Sequence, residues 1–362
     1  ADLSHLSDFS NLSDDDIAFL EDLLNGKFCP YQHKLTSSRR LTSVNGELTS
    51  IDGELATISM AANTLVTDAV SRRMASVKGC LADPFIHALY GHSHGKESYG
   101  LGYSNNMGGF VVGADNVWTF TGERYVRLGA VLGYIHGKTK FFGPLADPIT
   151  STRHNICVLE LFAAYESFND NHLKTNIGLI LGYNHGTDKL REGDPAVGDE
   201  KLRSNNVFLG LEFVKNLRSY NGFQFGPWLR ANYGHIAQKA HEGPATIEHI
   251  STAHHNILVT VVGINVEKEI LNRENPHKKA TLSLKTGWEC RPIHKHSHIT
   301  ASINDNTYEV VILQRPSKNS AVISFAASQK LDDHWSLVGS YTARFNKDVS
   351  AHNLSGGMEY SF

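Results

Sequence analysis

From residue 81 onward the chain is written largely with a period of two. Over 173–184, Leu173, Thr175, Ile177, Leu179, Leu181 and Tyr183 alternate with Lys174, Asn176, Gly178, Ile180, Gly182 and Asn184. Over 335–345, Trp335, Leu337, Gly339, Tyr341, Ala343 and Phe345 alternate with Ser336, Val338, Ser340, Thr342 and Arg344. Over 223–234, Phe223, Phe225, Pro227, Leu229, Ala231 and Tyr233 alternate with Gln224, Gly226, Trp228, Arg230, Asn232 and Gly234. Neighbouring side chains of a strand point to opposite faces, so each stretch is a strand with one apolar face. The other face mixes glycine, amide and charge. An apolar outside with aromatics toward its ends, around a wet inside, is what a membrane barrel requires.

Twelve such strands are expected, near 83–92, 106–117, 124–136, 154–168, 172–185, 204–216, 222–236, 255–269, 278–292, 320–329, 334–346 and 352–362. Short connections at 168–171, 217–221 and 330–333 alternate with long polar ones near 137–153, 186–203, 237–254 and 293–319. Short turns at one end and long loops at the other are the outer-membrane arrangement. Soluble sandwich strands seldom run to such lengths. An even count brings the last strand back beside the first, and closure removes the unpaired edges that lipid does not tolerate.

Composition agrees by exclusion. Charged residues make up 20% of the chain with a net charge of −3, and no basic tract follows phosphates, so nucleic acid is not an expected partner. Mean hydropathy is −0.27 and no apolar run approaches a spanning helix. The start Ala1-Asp2-Leu3 has no basic or apolar leader, as expected of a mature form or a fragment. Cys29, Cys80, Cys157 and Cys290 are far apart and form no zinc or disulfide pattern; Cys157 and Cys290 read as small apolar filler.

The front end is different. Ser13 with Asp14, Asp15 and Asp16 starts a short acidic helix carrying Ile17, Leu20, Leu23 and Leu24 and ending at Gly26. Residues 29–50 read as a connector. A second helix follows, capped by Asp52. Leu55, Ile58, Ala62, Leu65, Val66, Ala69, Val70 and Met74 recur at three and four, while Asn63, Thr67, Asp68, Arg72 and Arg73 occupy other faces. It would extend about 33 Å, which matches a bilayer core, yet it is too polar to face lipid. It suits the inside of a barrel. The expected domains are therefore 1–50, a helical and connector remnant; 51–79, a pore helix and linker; and 80–362, the barrel.

In the last strand Leu354, Gly356, Met358, Tyr360 and Phe362 face one way and Asn353, Ser355, Gly357, Glu359 and Ser361 the other. The pattern of Ser355, Gly357, Tyr360 and Phe362 resembles the insertion signal read by the bacterial outer-membrane assembly machinery. The helix 52–74, the run 108–115 (Gly-Gly-Phe-Val-Val-Gly-Ala-Asp), the run 225–233 (Phe-Gly-Pro-Trp-Leu-Arg-Ala-Asn-Tyr) and the pair Trp288-Glu289 together resemble the C-terminal translocator domain of type V autotransporters of Gram-negative bacteria. The likeness covers about residues 50–362. It implies an all-β membrane protein: a 12-stranded antiparallel transmembrane β-barrel with an N-terminal α-helix in the lumen. It implies an outer-membrane location, a covalently attached upstream passenger exported to the cell surface, and the assembly machinery and outer-membrane lipid as partners. A monomer without cofactor is expected.

Expected pore-helix and lumen polar residues are Asn63, Asp68, Arg72, Arg73, Glu160, Glu212, Arg230 and Arg344. Some members of the family cleave their passenger within the pore, an asparagine side chain attacking its own backbone carbonyl beside lumen acids. Asn63 with Glu160 and Glu212 could serve so. The alternative favoured here is that they hold the helix by hydrogen bonds and by pairing with Arg72 or Arg73, and no catalytic residue is assigned. His294, His296 and His298 share a face, as do His92 and His94; no carboxylate or cysteine completes a set, so no metal site is assigned. Two other functions remain open: an adhesin acting through its surface loops, and a self-cleaving or proteolytic outer-membrane barrel.

Overall fold

Each of the twelve alternating segments forms a strand, and the strands close on themselves. The computed structural model describes residues 41–44, 47–75, 83–98, 101–120, 123–142, 149–169, 172–192, 200–240, 247–271, 279–294, 297–303, 306–313 and 319–362. The barrel strands are β1 (Asp83–Ser98), β2 (Leu101–Phe120), β3 (Arg124–Phe142), β4 (Ile149–Phe168), β5 (Lys174–Glu192) and β6 (Glu200–Lys215). They continue as β7 (Phe223–Gln238), β8 (Ala253–Leu271), β9 (Lys279–His294), β10 (Asn319–Lys330), β11 (Trp335–Phe345) and β12 (Val349–Tyr360). Sequential neighbours pair antiparallel, and β12 returns to β1 from Val349↔Gly95 to Glu359↔Phe85. Every barrel strand thus has two neighbours, which satisfies the backbone within lipid.

The outward face is apolar. Leu132, Leu161, Leu181, Leu211 and Val262 are about half exposed, as side chains that meet acyl chains should be. Trp118, Phe120, Tyr220, Phe223, Trp335 and Phe362 ring one end, and Tyr90, Tyr134, Tyr183, Tyr233 and Tyr341 ring the other. Cys157 lies on this outer face. The expected loops need one correction, because strands extend beyond the bilayer: β3 runs to Phe142 and β4 begins at Ile149, so most of 137–153 is strand. The same holds for 186–203. Polar ladders remain paired there by their backbone hydrogen bonds. The links 99–100 and 346–348, at the long-loop end, are short.

The helix α1 (Ile51–Ala75) runs through the lumen. It begins one residue before Asp52, which places that residue in the first turn; its expected capping side chain lies outside those described. The expected acidic helix near 14–25 lies outside the described residues. The connector expected at 29–50 ends instead in a hairpin, Leu41–Val44 against Glu47–Ser50. That hairpin joins a small sheet with 306–313, 297–303 and 247–250, all from the two longest loops. The second hairpin strand pairs parallel to 306–313 through Ile312↔Leu48 and Leu313↔Thr49. The loop expected to be irregular at 293–319 is thus partly strand.

Candidate functional site

The lumen is where the sequence expectations converge, and its two halves differ. On the β1–β6 side the wall carries an apolar patch among polar neighbours: Phe85, Leu89, Met107, Val111, Ile135 and Phe162 point inward and pack on Ile58, Leu65, Val66 and Val70 of α1. A uniformly polar lumen was expected, and this patch departs from it. Alternation separates two faces but does not tell which apolar face meets lipid and which meets a helix. Two inward glycines receive helix side chains. A Cβ at Gly178 would lie 2.7 Å from Met74 Cε, and one at Gly234 would lie 2.6 Å from Met60 Sδ. Asn176 Nδ2 donates to the Met74 carbonyl at 3.1 Å, which satisfies one of the carbonyls a helix end leaves free.

The β7–β12 side is polar and open. A cavity lined by Ser71, Lys174, Glu212, Lys285, Ser324 and Thr342 runs beside the lower helix, and a second, lined by Thr64, Ser93, Asn232, Glu289, Arg291 and Asn353, runs beside the upper helix. Arg230 and Arg344 border both. Between them stands Asp68. Its Oδ1 accepts from Arg230 NH1 at 2.6 Å and from Arg344 NH2 at 3.2 Å, and its Oδ2 accepts from Arg344 NH1 at 3.2 Å and from Asn353 Nδ2 at 3.0 Å. The network continues outward. Arg230 NH2 donates to Ser71 Oγ at 2.7 Å and to Glu212 Oε2 at 3.0 Å. Glu212 also accepts from Trp228 Nε1 at 3.0 Å and from Lys285 Nζ. Arg344 Nε donates to Glu289 Oε2 at 3.2 Å. One helix carboxylate therefore ties β7 and β11 across the wet half of the lumen.

Toward the other helix end, Arg73 is fully buried. It grips Asp115 by two bonds, Nε to Oδ2 at 2.6 Å and NH2 to Oδ1 at 3.1 Å, and donates from NH1 to Glu359 at 2.7 Å. Asp83 lies 3.6 Å away, and the guanidinium sits 5.2 Å from the Phe85 ring centroid. Arg127 NH1 donates to Asp115 at 2.9 Å, and His87 Nε2 stands 3.3 Å from Glu359. A two-bond Arg–carboxylate grip fixes orientation as well as charge.

The expected residues fall as follows. Asn63, Asp68, Arg72, Arg73, Glu160, Glu212, Arg230 and Arg344 all lie on α1 or on lumen-facing strand positions. The expected pairing of Glu160 and Glu212 with Arg72 or Arg73 is not the one observed. Glu212 holds Arg230 and Lys285; Arg72 NH2 donates to the Ala327 carbonyl at 3.2 Å; Arg73 holds Asp115 and Glu359. Glu160 is buried within the apolar patch and neither oxygen has a hydrogen-bond partner among the described residues. Asn63 accepts from Asn184 Nδ2. Asp83, Arg127 and Lys285 were not singled out, and Asp115, Glu289 and Glu359 were named only as members of a family run, a family pair and the last strand's polar face, not as partners of the helix. Parity placed them on inward faces, but the stagger between strands, which sets their common height, is not written in any one segment. Of the insertion-signal residues, Ser355 and Gly357 face inward, while Tyr360 stacks edge-on against Trp335 (4.9 Å) and Phe362 (4.8 Å). Among the described residues no three metal-ligating side chains gather; His294, His296 and His298 are outside those whose side chains are described.

Comparison with known proteins agrees with this geometry. No curated protein matches the chain by sequence. The transport unit of the autotransporter AIDA-I from Escherichia coli is 14% identical, with 77% of this chain and 90% of that chain covered and a TM-score of 0.60. The translocator domain of NalP from Neisseria meningitidis is also 14% identical, with 83% and 98% covered and a TM-score of 0.58. The β-domain of the Bordetella autotransporter BrkA is 13% identical, with 78% and 99% covered and a TM-score of 0.54. These likenesses show the fold. The family model described as the autotransporter β-domain matches residues 85–342, which takes in most of the chain. A closed twelve-stranded barrel with its helix inside, carrying that match, belongs to the autotransporter β-domain family and is an outer-membrane translocator barrel.

Proposed function

We propose that this barrel anchors and helps export a passenger joined upstream of Leu41, and that α1 is the tether left in the pore. The observation that carries this reading is the path of the chain. Long loops mark the extracellular end of such barrels. The segment before α1 pairs with the loop strand 306–313 at that end, and α1 then descends toward the start of β1 at the other. A passenger preceding this segment lies outside the cell. Ser355, Gly357, Tyr360 and Phe362 serve in the same reading as the signal met by the assembly machinery, and the barrel works as a monomer, its sheet being closed. Asn63 and Glu212 hold the helix rather than cut it, since both are engaged by neighbours. The domain division at residues 50 and 79 belongs to this proposal.

The test is an epitope inserted upstream of Leu41 in the full-length protein. Antibody labelling of intact cells, lost after external protease, is expected. An epitope reached only after the outer membrane is opened overturns the reading.

A further inference from the structure

The outer rim carries a repeated device that the plugged lumen does not use. On β1, Tyr90 and His92 both reach Asn106 of β2: the phenol donates to Oδ1 at 3.2 Å and the imidazole Nδ1 lies 2.8 Å from it. The unit recurs as Tyr134 and His136 on Asn155, at 2.7 and 2.9 Å. It recurs as Tyr183 and His185 on Asn205, at 3.0 and 2.8 Å, and as Tyr233 and His235 on Asn256, at 2.7 and 2.8 Å. An amide oxygen only accepts, so each imidazole donates from Nδ1 and turns Nε2 free to accept. Each unit is set back two residues from the direct neighbour of the one before: Asn106 faces Lys138 rather than His136, Asn155 faces Thr187 rather than His185, Asn205 faces Ala237 rather than His235. Tilted barrel strands need such a stagger to keep a belt level.

Just beyond this belt the outward surface becomes basic. Lys138, Arg153, Lys189 and Lys201 sit on four adjacent strands in direct register, Lys138↔Arg153, Arg153↔Lys189 and Lys189↔Lys201. All four are exposed, and among the described residues no carboxylate pairs with them. Like charges directly opposite on a sheet destabilise it, so the row calls for an anionic partner. Three strand spacings give it a span of roughly 14 Å, about the reach of a disaccharide with phosphate at each end.

We propose that this face binds the headgroup of a phosphorylated glycolipid in the outer leaflet. The cation row takes the phosphates, and the Nε2 atoms of the belt accept from sugar hydroxyl and amide donors. The position argues for lipid: the row is continuous with the acyl-facing band beneath the tyrosines, and its charge complements phosphate. The full chain in detergent micelles is titrated with fluorescent lipopolysaccharide and, separately, with fluorescent phosphatidylglycerol. Wild type should prefer lipopolysaccharide by about tenfold or more, the quadruple variant K138Q/R153Q/K189Q/K201Q should lose about tenfold, and H136L/H185L should lose about threefold for lipopolysaccharide alone. Folding is checked by heat-modifiable migration, and Arg153→Gln, from the middle of the row, stands in if the quadruple variant does not assemble. Equal binding of the two lipids, or unchanged lipopolysaccharide binding in the row or histidine variants, overturns the proposal.

Discussion

Replacing Asp68 by asparagine should unseat the plug. In the native lumen one carboxylate faces two guanidiniums, Arg230 at 2.6 Å and Arg344 at 3.2 Å, with Asn353 at 3.0 Å. Asparagine keeps the shape but leaves two cations turned toward a neutral group. Breaking a buried ion pair from one side costs about 3–5 kcal/mol. The polar half of the lumen is wet, and the side chains of Asp68 and Arg344 are 9% and 12% exposed, so about 2–3 kcal/mol is the better figure here. At about 1.4 kcal/mol per factor of ten, the helix-displaced state gains roughly 30- to 150-fold. Single-channel recording in planar bilayers reads this as the fraction of time in the large-conductance state. The double variant Asp68→Asn with Arg344→Gln should fall short of the sum of the two, since they share one network. An Asp68→Asn barrel with the wild-type open fraction, folded by heat-modifiable migration, refutes the reasoning.

Gly178→Leu would drive a side chain into the space of Met74; a loss of about 1–3 kcal/mol is expected, read as a higher open fraction in the same recordings. Arg73→Gln leaves Asp83, Asp115 and Glu359 without their shared cation, and the temperature of the heat-modified transition should drop by an amount corresponding to about 3–5 kcal/mol. Leu181→Arg, on the lipid face of β5, should cost about 2–4 kcal/mol in urea titrations of bilayer folding. Asp332 accepts from the backbone N–H groups of Trp335 and His334, which holds its carboxyl below the ordinary range. A lowered folded value means that its contribution is present above the unfolded pKa of about 3.8 and is lost as pH falls through the folded one. Amide-exchange protection of Trp335 should therefore decline only in strong acid, and Asp332→Asn should abolish that decline.

The barrel was legible because alternation is local. Ile177, Leu179, Leu181 and Tyr183 can be assigned to one face from their own segment, and all four are exposed to lipid. The short turn at Asn221 and Gly222, both at positive φ, could likewise be anticipated from two residues. The lumen was legible only in part. Asp68, Arg230 and Arg344 were expected there, but their meeting depends on the heights of β7 and β11 and on the rotation of α1, which no single segment encodes. The apolar inner wall was missed because Val111, Ile135 and Phe162 read, residue by residue, like lipid-facing side chains. The Tyr-x-His units were within reach, since 90–92, 134–136, 183–185 and 233–235 repeat in the chain, but a search for metal ligands among the histidines looks past the tyrosines beside them.

The oily patch inside β1–β6 bears on how this protein must be made. Emptied of α1, the barrel would be no neutral pipe: Phe85, Ile135, Phe162 and Phe208 would stand against water on one flank. Hydration of that flank opposes vacancy, so plug and wall are best regarded as one folding unit, completed together. Any polypeptide threading the pore during export would have to shield the same surface while it passes, and a segment with an apolar stripe would glide there more readily than a wholly charged one.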